Sequence, residues 1–132
     1  MDALRKYFKN DHYAELSNIE LLAVSPGHAT AKMTLHKHHL NGYRTVQGGA
    51  IFTLADLAFA AASNSHGSVA VGVSVNIMFM KAATAGTLWA EARELSKNHK
   101  LGAYIVEVKD DAGDLVASFQ GMVYRKKDPI PQ

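Results

Sequence analysis

Between Arg44 and Lys81 the chain carries one formally charged side chain, Asp56. It sits within Gly48-Gly49-Ala50-Ile51-Phe52-Thr53-Leu54-Ala55-Asp56-Leu57-Ala58-Phe59-Ala60-Ala61-Ala62, a run that is apolar nearly all round and reads as a helix enclosed by other structure. Taking a carboxylate out of water disfavours its charged form, which raises its pKa or costs several kcal/mol if it stays ionised without partners. Groups held in that condition concentrate at sites of acid–base or nucleophilic chemistry. The bland reading of Asp56 is a structural carboxylate that caps a neighbouring loop.

Gly48-Gly49 opens the same helix, and its backbone N–H groups lie at the positive end with no Cβ in the way. Such donors can hold an anion or a developing oxyanion, and in a dry pocket one of them contributes on the order of 10²–10³ in rate. The glycines also suit a tight loop-to-helix turn and nothing more. Eight residues at about 1.5 Å rise put Asp56 roughly 12 Å beyond Gly48, too far for both to act on one reacting atom. If the two groups cooperate, one of them must come from a second copy of the chain.

Other candidate constellations are weaker. His36, His38 and His39 are metal-ligand types, but a strand end followed by a loop is expected to scatter them, and no metal is predicted. Gly72-Val73-Ser74-Val75-Asn76 lacks the final glycine of a nucleophile elbow, so Ser74 reads as a small strand residue whose hydroxyl can steady a water. No phosphate-binding loop or dinucleotide fingerprint is present. The absence of cysteine excludes disulfides, zinc-thiolate sites and thiol nucleophiles, and it fits a cytoplasmic setting. Fourteen Lys and Arg against twelve Asp and Glu leave a formal +2, with the cations scattered apart from Arg125-Lys126-Lys127. That distribution argues against a nucleic-acid partner. Met1-Asp2-Ala3-Leu4-Arg5-Lys6 lacks the apolar core of a signal peptide, and the helix is too short and too interrupted to span a bilayer, so a soluble protein is expected.

The elements that must position these groups follow from periodicity. The 132 residues, 48% hydrophobic and 20% charged, suit one domain over 1–132. Leu4, Tyr7 and Phe8 recur at helical spacing, which predicts a short amphipathic helix. Two strands are expected around Ser25-Pro26-Gly27, the second with Ala29, Ala31, Met33 and Leu35 on its buried face. After the long helix, with Gly67 as its stop, the period becomes two: Val69, Val71, Val73, Val75, Ile77 and Phe79 share one face, and Ala70, Gly72, Ser74, Asn76, Met78 and Met80 the other. Three more strands are expected over residues 87–95, 101–109 and 115–125, with turn chemistry at 96–100 and 110–113. Four successive strands should pair antiparallel and curl around the single long helix, an α+β architecture whose uncovered outer face would favour subunit association.

Asn41-Gly42-Tyr43-Arg44-Thr45-Val46-Gln47-Gly48-Gly49, followed by the apolar helix carrying Leu54-Ala55-Asp56, resembles the signature of hot-dog-fold acyl-CoA thioesterases in their phenylacetate-pathway (PaaI-like) branch, with Val73-Ser74-Val75 as support. The resemblance implies a curled antiparallel sheet around one central helix and hydrolysis of an acyl-CoA without metal or redox cofactor. By the same resemblance the Gly48 amide polarises the thioester carbonyl and Asn41 helps place it. Asp56 of the facing subunit acts as general base or nucleophile, and Ser74 orients the water. Gln47 stands where many relatives have histidine; it can position but cannot titrate near neutral pH. Gly49 and Met80, the latter with Met78 as an acyl-pocket wall, are implied in substrate binding. So is the turn holding Lys97, Asn98, His99 and Lys100, which matches a CoA-contacting region. The implied assembly is a dimer at least and a tetramer by family habit. A hot-dog hydratase or dehydratase would need a histidine in the helix, and an acyl-CoA sensor would keep the pocket and lose the base.

Overall fold

The computed structural model describes residues 1–131. Alternating apolar positions produce six strands: β1 (Ile19–Ser25), β2 (His28–Thr34), β3 (Ser68–Phe79), β4 (Thr87–Lys97), β5 (Leu101–Lys109) and β6 (Leu115–Pro129). They form one antiparallel sheet in the order β1-β2-β4-β5-β6-β3. The 16-residue helix α3 (Gly48–Ser63) packs across one face of it. Ahead of the sheet lie α1 (Asp2–Phe8), anchored by buried Leu4, and α2 (His12–Leu16), anchored by buried Ala14.

The expected run of four mutually adjacent strands is corrected in one respect. β3 does not neighbour β4; it pairs with β6 and forms an edge of the sheet. The physical reason lies in the connections: tight turns join β4 to β5 and β5 to β6, whereas residues 80–86 between β3 and β4 carry no hairpin signature and cross the sheet instead. The helix α2 was not apparent from periodicity. It spans five residues and depends on Asp11, whose carboxylate accepts a hydrogen bond from the Ala14 N–H at 3.0 Å.

The unbroken alternation expected along β3 is also corrected. The pairing shifts between Gly72 and Ser74, so that Val73 is an extra residue against β6. Ala70 and Gly72 face α3 before this bulge. After it the helix-facing positions are Val75, Ile77 and Phe79, opposite Gly121, Phe119 and Ala117. Val69 and Val71 therefore share the outer face with Ser74, Asn76 and Met78.

The core shows why small residues recur where they do. The Phe59 ring projects from α3 into a slot between β3 and β6, where a Cβ at Gly121 would stand 2.6 Å from Phe59 Cζ and one at Gly72 would stand 3.1 Å from Cε2. Tyr104 and Phe119 close the slot, with ring centroids 5.8 and 5.3 Å from that of Phe59. Burying this side chain stabilises the fold by roughly 1.5–3 kcal/mol. At the far end of α3 the side chain of Asn64 donates to the Ala60 and Ala70 carbonyls and accepts from the Ala70 N–H, which ties the helix end to β3. Gly67, expected as the helix stop, adopts φ +91° in the turn that follows, while Asn64 is the cap residue.

Candidate active site

The loop that leads into α3 is organised by Asn41. Its Oδ1 accepts from the N–H groups of Tyr43 at 2.8 Å and Thr45 at 3.2 Å, and its Nδ2 donates to Thr45 Oγ1 at 3.0 Å. These bonds hold the turn in which Arg44 takes a positive φ of 64°. Asn41 is thus occupied in shaping the loop. The Val46 N–H then donates to Ala83 and the Gln47 N–H to His39, both at 2.8 Å, which fixes the point where the helix begins.

His36, His38 and His39 are not scattered as expected but gathered: the His36 and His38 rings stack at 5.6 Å between centroids, and His38 lies 4.2 Å from His39. A 3₁₀ turn over Lys37–His39 brings them together. Buried His39 has both ring nitrogens committed, Nδ1 accepting from the His36 N–H at 2.9 Å and Nε2 donating to the Ser17 carbonyl at 2.7 Å. These bonds define a neutral, structural histidine that joins the loop to the end of α2. Burial together with its two histidine neighbours lowers the pKa of His38. Among the described residues, no group of three or more His, Cys, Asp or Glu is placed to hold a metal ion.

At the start of α3 the N–H groups of Gly48 and Gly49 donate no hydrogen bond among the described residues. Gly48 lies against the Phe79 ring, 3.1 Å from where its Cβ would be; around Gly49 a Cβ would meet nothing within 4 Å. Gln47, the residue before them, is exposed and makes no side-chain cap on the helix.

Asp56 is exposed in the protomer, which corrects the expectation of a helix enclosed all round. The sheet covers one side of α3, and the uncovered positions recur at helical spacing: Gly49 and Asp56 are exposed, and Phe52, Thr53 and Ala60 between and beyond them are half-buried. The pKa of Asp56 is nonetheless raised, first by burial of its inner side and then by the negative charge of Asp11. Because solvent reaches the carboxyl, the effect is smaller than full enclosure would give. Asp11 is the residue that sequence reasoning missed. Its place before α2 is a local capping signal, but nothing in linear order brings it beside α3.

The remaining candidates do not converge on Asp56 within one protomer. Ser74 is opposite Met122 in the register, on the sheet face turned away from α3, and Met78 shares that face. Met80 is exposed just beyond the end of β3. Lys97, Asn98, His99 and Lys100 form the exposed β4–β5 turn, where Asn98 Oδ1 accepts from the Lys100 and Leu101 N–H groups and so sets the turn itself.

An antiparallel sheet with one long helix laid across it, a glycine pair at the helix start and a lone carboxylate two turns on define a hot-dog fold of the thioesterase kind. The chain belongs to the Thioesterase superfamily, whose family model matches residues 43–117. It is 45% identical over 125 residues to the "Putative esterase" of Archaeoglobus fulgidus, covering 94% of this chain and 81% of that protein. It is 35% identical over 119 residues to the acyl-coenzyme A thioesterase PaaI of Escherichia coli, covering 89% and 85%. The solved structure of the E. coli PaaI protein superposes with a TM-score of 0.94 at 33% identity, over 98% of this chain and 95% of that one. The Streptococcus mutans protein smu.793, solved with acetyl-CoA bound, superposes with a TM-score of 0.81 at 25% identity, over 85% and 91%. No helix among the described residues is long and apolar enough to cross a membrane.

Proposed function

We infer that the chain is an acyl-CoA thioesterase, converting an acyl-CoA and water into a free carboxylic acid and CoA, at a site shared between two protomers. The observation that carries this reading is α3 itself, whose first two glycine N–H groups have no partner among the described residues and whose open side carries a carboxylate of raised pKa. The two lie roughly 12 Å apart along one axis, so a pair of antiparallel α3 helices brings the amide of one against the carboxylate of the other. The edge strand β3, with exposed Val71, Val73 and Val75, supports such a pairing of two copies, and the outer face with Met78, Met122 and Tyr124 supports a further association into tetramers.

In this site the Gly48 N–H of one protomer donates to the thioester carbonyl oxygen. The ionised Asp56 of the other takes a proton from water as the hydroxyl adds to the carbonyl carbon. Negative charge develops on the carbonyl oxygen where the helix N-terminus stabilises it, and collapse of the tetrahedral species breaks the C–S bond and releases CoA thiolate, which takes up a proton. Asn41 serves by holding the loop that aims the amide. The exposed Lys97 and Lys100 offer cations to the phosphates of CoA. A carboxylate that attacks the carbonyl directly, through an anhydride, would use the same groups.

Free thiol release from a panel of acyl-CoAs tests this reading. The wild type should turn over, and Asp56→Asn should lose about 10²–10⁴ in kcat with substrate binding retained. Equal rates for the two proteins would remove Asp56 from the chemistry. Binding by the wild type without turnover would make the chain a sensor.

A further inference from the structure

A cleft of about 880 Å³ opens between the N-terminal helices, β1 and α3. Small-molecule sites typically span roughly 300–1,000 Å³. Phe8 of α1, Ala14 of α2, Ile19 and Leu21 of β1 and Leu57 of α3 supply its apolar lining. The wall on the solvent side is held in place: the Arg5 guanidinium donates to the Leu22 carbonyl at 2.5 Å, which ties α1 to β1.

Two residues connect this cleft to the carboxylate of α3. Leu57 follows Asp56 directly on the helix, and Asp11, which also borders the cleft, is near enough for its charge to act on Asp56. Met78 lies on the sheet face away from α3 and so does not border this cleft within the protomer.

We propose that the cleft under α1 and α2 receives the acyl chain of the thioester, and that it selects for a neutral apolar chain longer than acetyl. The proposal rests on the hydrolase reading above, since it supplies the acyl site for that reaction. The rim carries Arg5, Lys6 and Lys9 together with Asp2, Glu15 and Glu20, so no single charge sign is favoured at the mouth and the apolar lining decides. A chain entering beside Leu57 leaves its carbonyl at the Asp56 end, as the hydrolysis requires.

Two measurements test this. In the first, kcat/KM is compared for acetyl-, butanoyl-, hexanoyl- and octanoyl-CoA. In the wild type each added methylene should raise it by about fourfold until the cleft is full. Leu21→Trp, which narrows the cleft, should lower the octanoyl-to-acetyl ratio at least about tenfold, and Phe8→Ala should also lower it through lost contact. In the second, methyl resonances of Ile19, Leu21 and Leu57 in the wild type are followed on adding a non-hydrolysable octanoyl-CoA thioether or CoA alone. Shifts with the thioether and none with CoA are expected. A ratio unchanged in both variants, or thioether shifts that spare these methyls, would overturn the cleft assignment while leaving hydrolysis intact. Cleft shifts in a protein that hydrolyses no member of the series would instead overturn the hydrolase reading and leave the acyl site standing.

Discussion

Gly49→Ala separates a glycine kept for folding from a glycine kept for access. In the protomer a Cβ at this position meets nothing within 4 Å, so no steric penalty is expected. Alanine is a better helix former than glycine by up to about 1 kcal/mol in a helix interior and by less in the first turn, so the protomer should be as stable as wild type or slightly more so. The site makes the opposite demand. A thioester oxygen must come within roughly 2.7–3.1 Å of the amides at the helix start, whereas a methyl keeps carbon neighbours about 3.5–4.0 Å away. The added methyl projects from the open stripe that also carries Asp56 and should hold the carbonyl out of hydrogen-bonding range. Losing one such donor typically lowers kcat by about 10²–10³. Thermal melts and thiol release on the same preparation give both quantities. A variant with unchanged melting temperature and a wild-type rate would show that the helix start takes no part in the reaction.

Other perturbations probe the fold and the carboxylate. Gly121→Ala drives a methyl into the Phe59 ring, with Cζ 2.6 Å from the new Cβ, and should destabilise the protein by about 1–3 kcal/mol in denaturant titration; Phe59→Leu in the same chain should recover part of that loss. Burial is the main cause of the raised Asp56 pKa and the Asp11 charge the second, so Asp11→Asn, which keeps a good cap on α2, should move the acidic limb of the kcat/KM profile partway to lower pH; an unmoved limb would exclude Asp11 as its neighbour in function. The folded protein holds the Asp56 proton to higher pH than the unfolded chain, whose value is near 3.8, so stability falls as pH rises through the folded-state pKa. Asp56→Asn should therefore melt higher than wild type at neutral pH, with the difference closing below pH 3.8; a difference that persists at low pH would assign the effect to packing.

The long helix and most strand positions were legible because each depends on local periodicity. The run from Gly48 to Ser63 has too few polar positions to be anything but a packed helix, and the Asp110-Asp111-Ala112-Gly113 turn declares a hairpin by itself. What escaped was set by distant partners. The extra residue at Val73 exists only relative to Gly72, Ser74 and their mates Val123 and Met122, so alternation read along β3 alone put Val69 and Val71 on the same face as Val75, Ile77 and Phe79. The place of β3 beside β6 depends on a crossover that carries no turn signal. Residue type and spacing single out Asp56 and the glycine pair as candidates, and Gly49 and Asp56 are both exposed along α3. Asn41 was expected to help place the thioester carbonyl; in the protomer its side chain bonds Tyr43 and Thr45, a local geometry that residue type alone does not reveal. Asp11 is 45 positions from Asp56 in sequence, and only the packing of α2 against α3 makes them neighbours.

Subunit complementation tests the shared site most directly. Asp56→Asn and Gly49→Ala, each inactive alone, are co-expressed with different tags, and the mixed assemblies are isolated and assayed for thiol release. A site built from the amide of one protomer and the carboxylate of another leaves one intact site in each mixed pair, so about half of the wild-type activity per mixed pair should return. Mixed assemblies as inactive as their parents would contradict the account, because they would place both groups in a single chain.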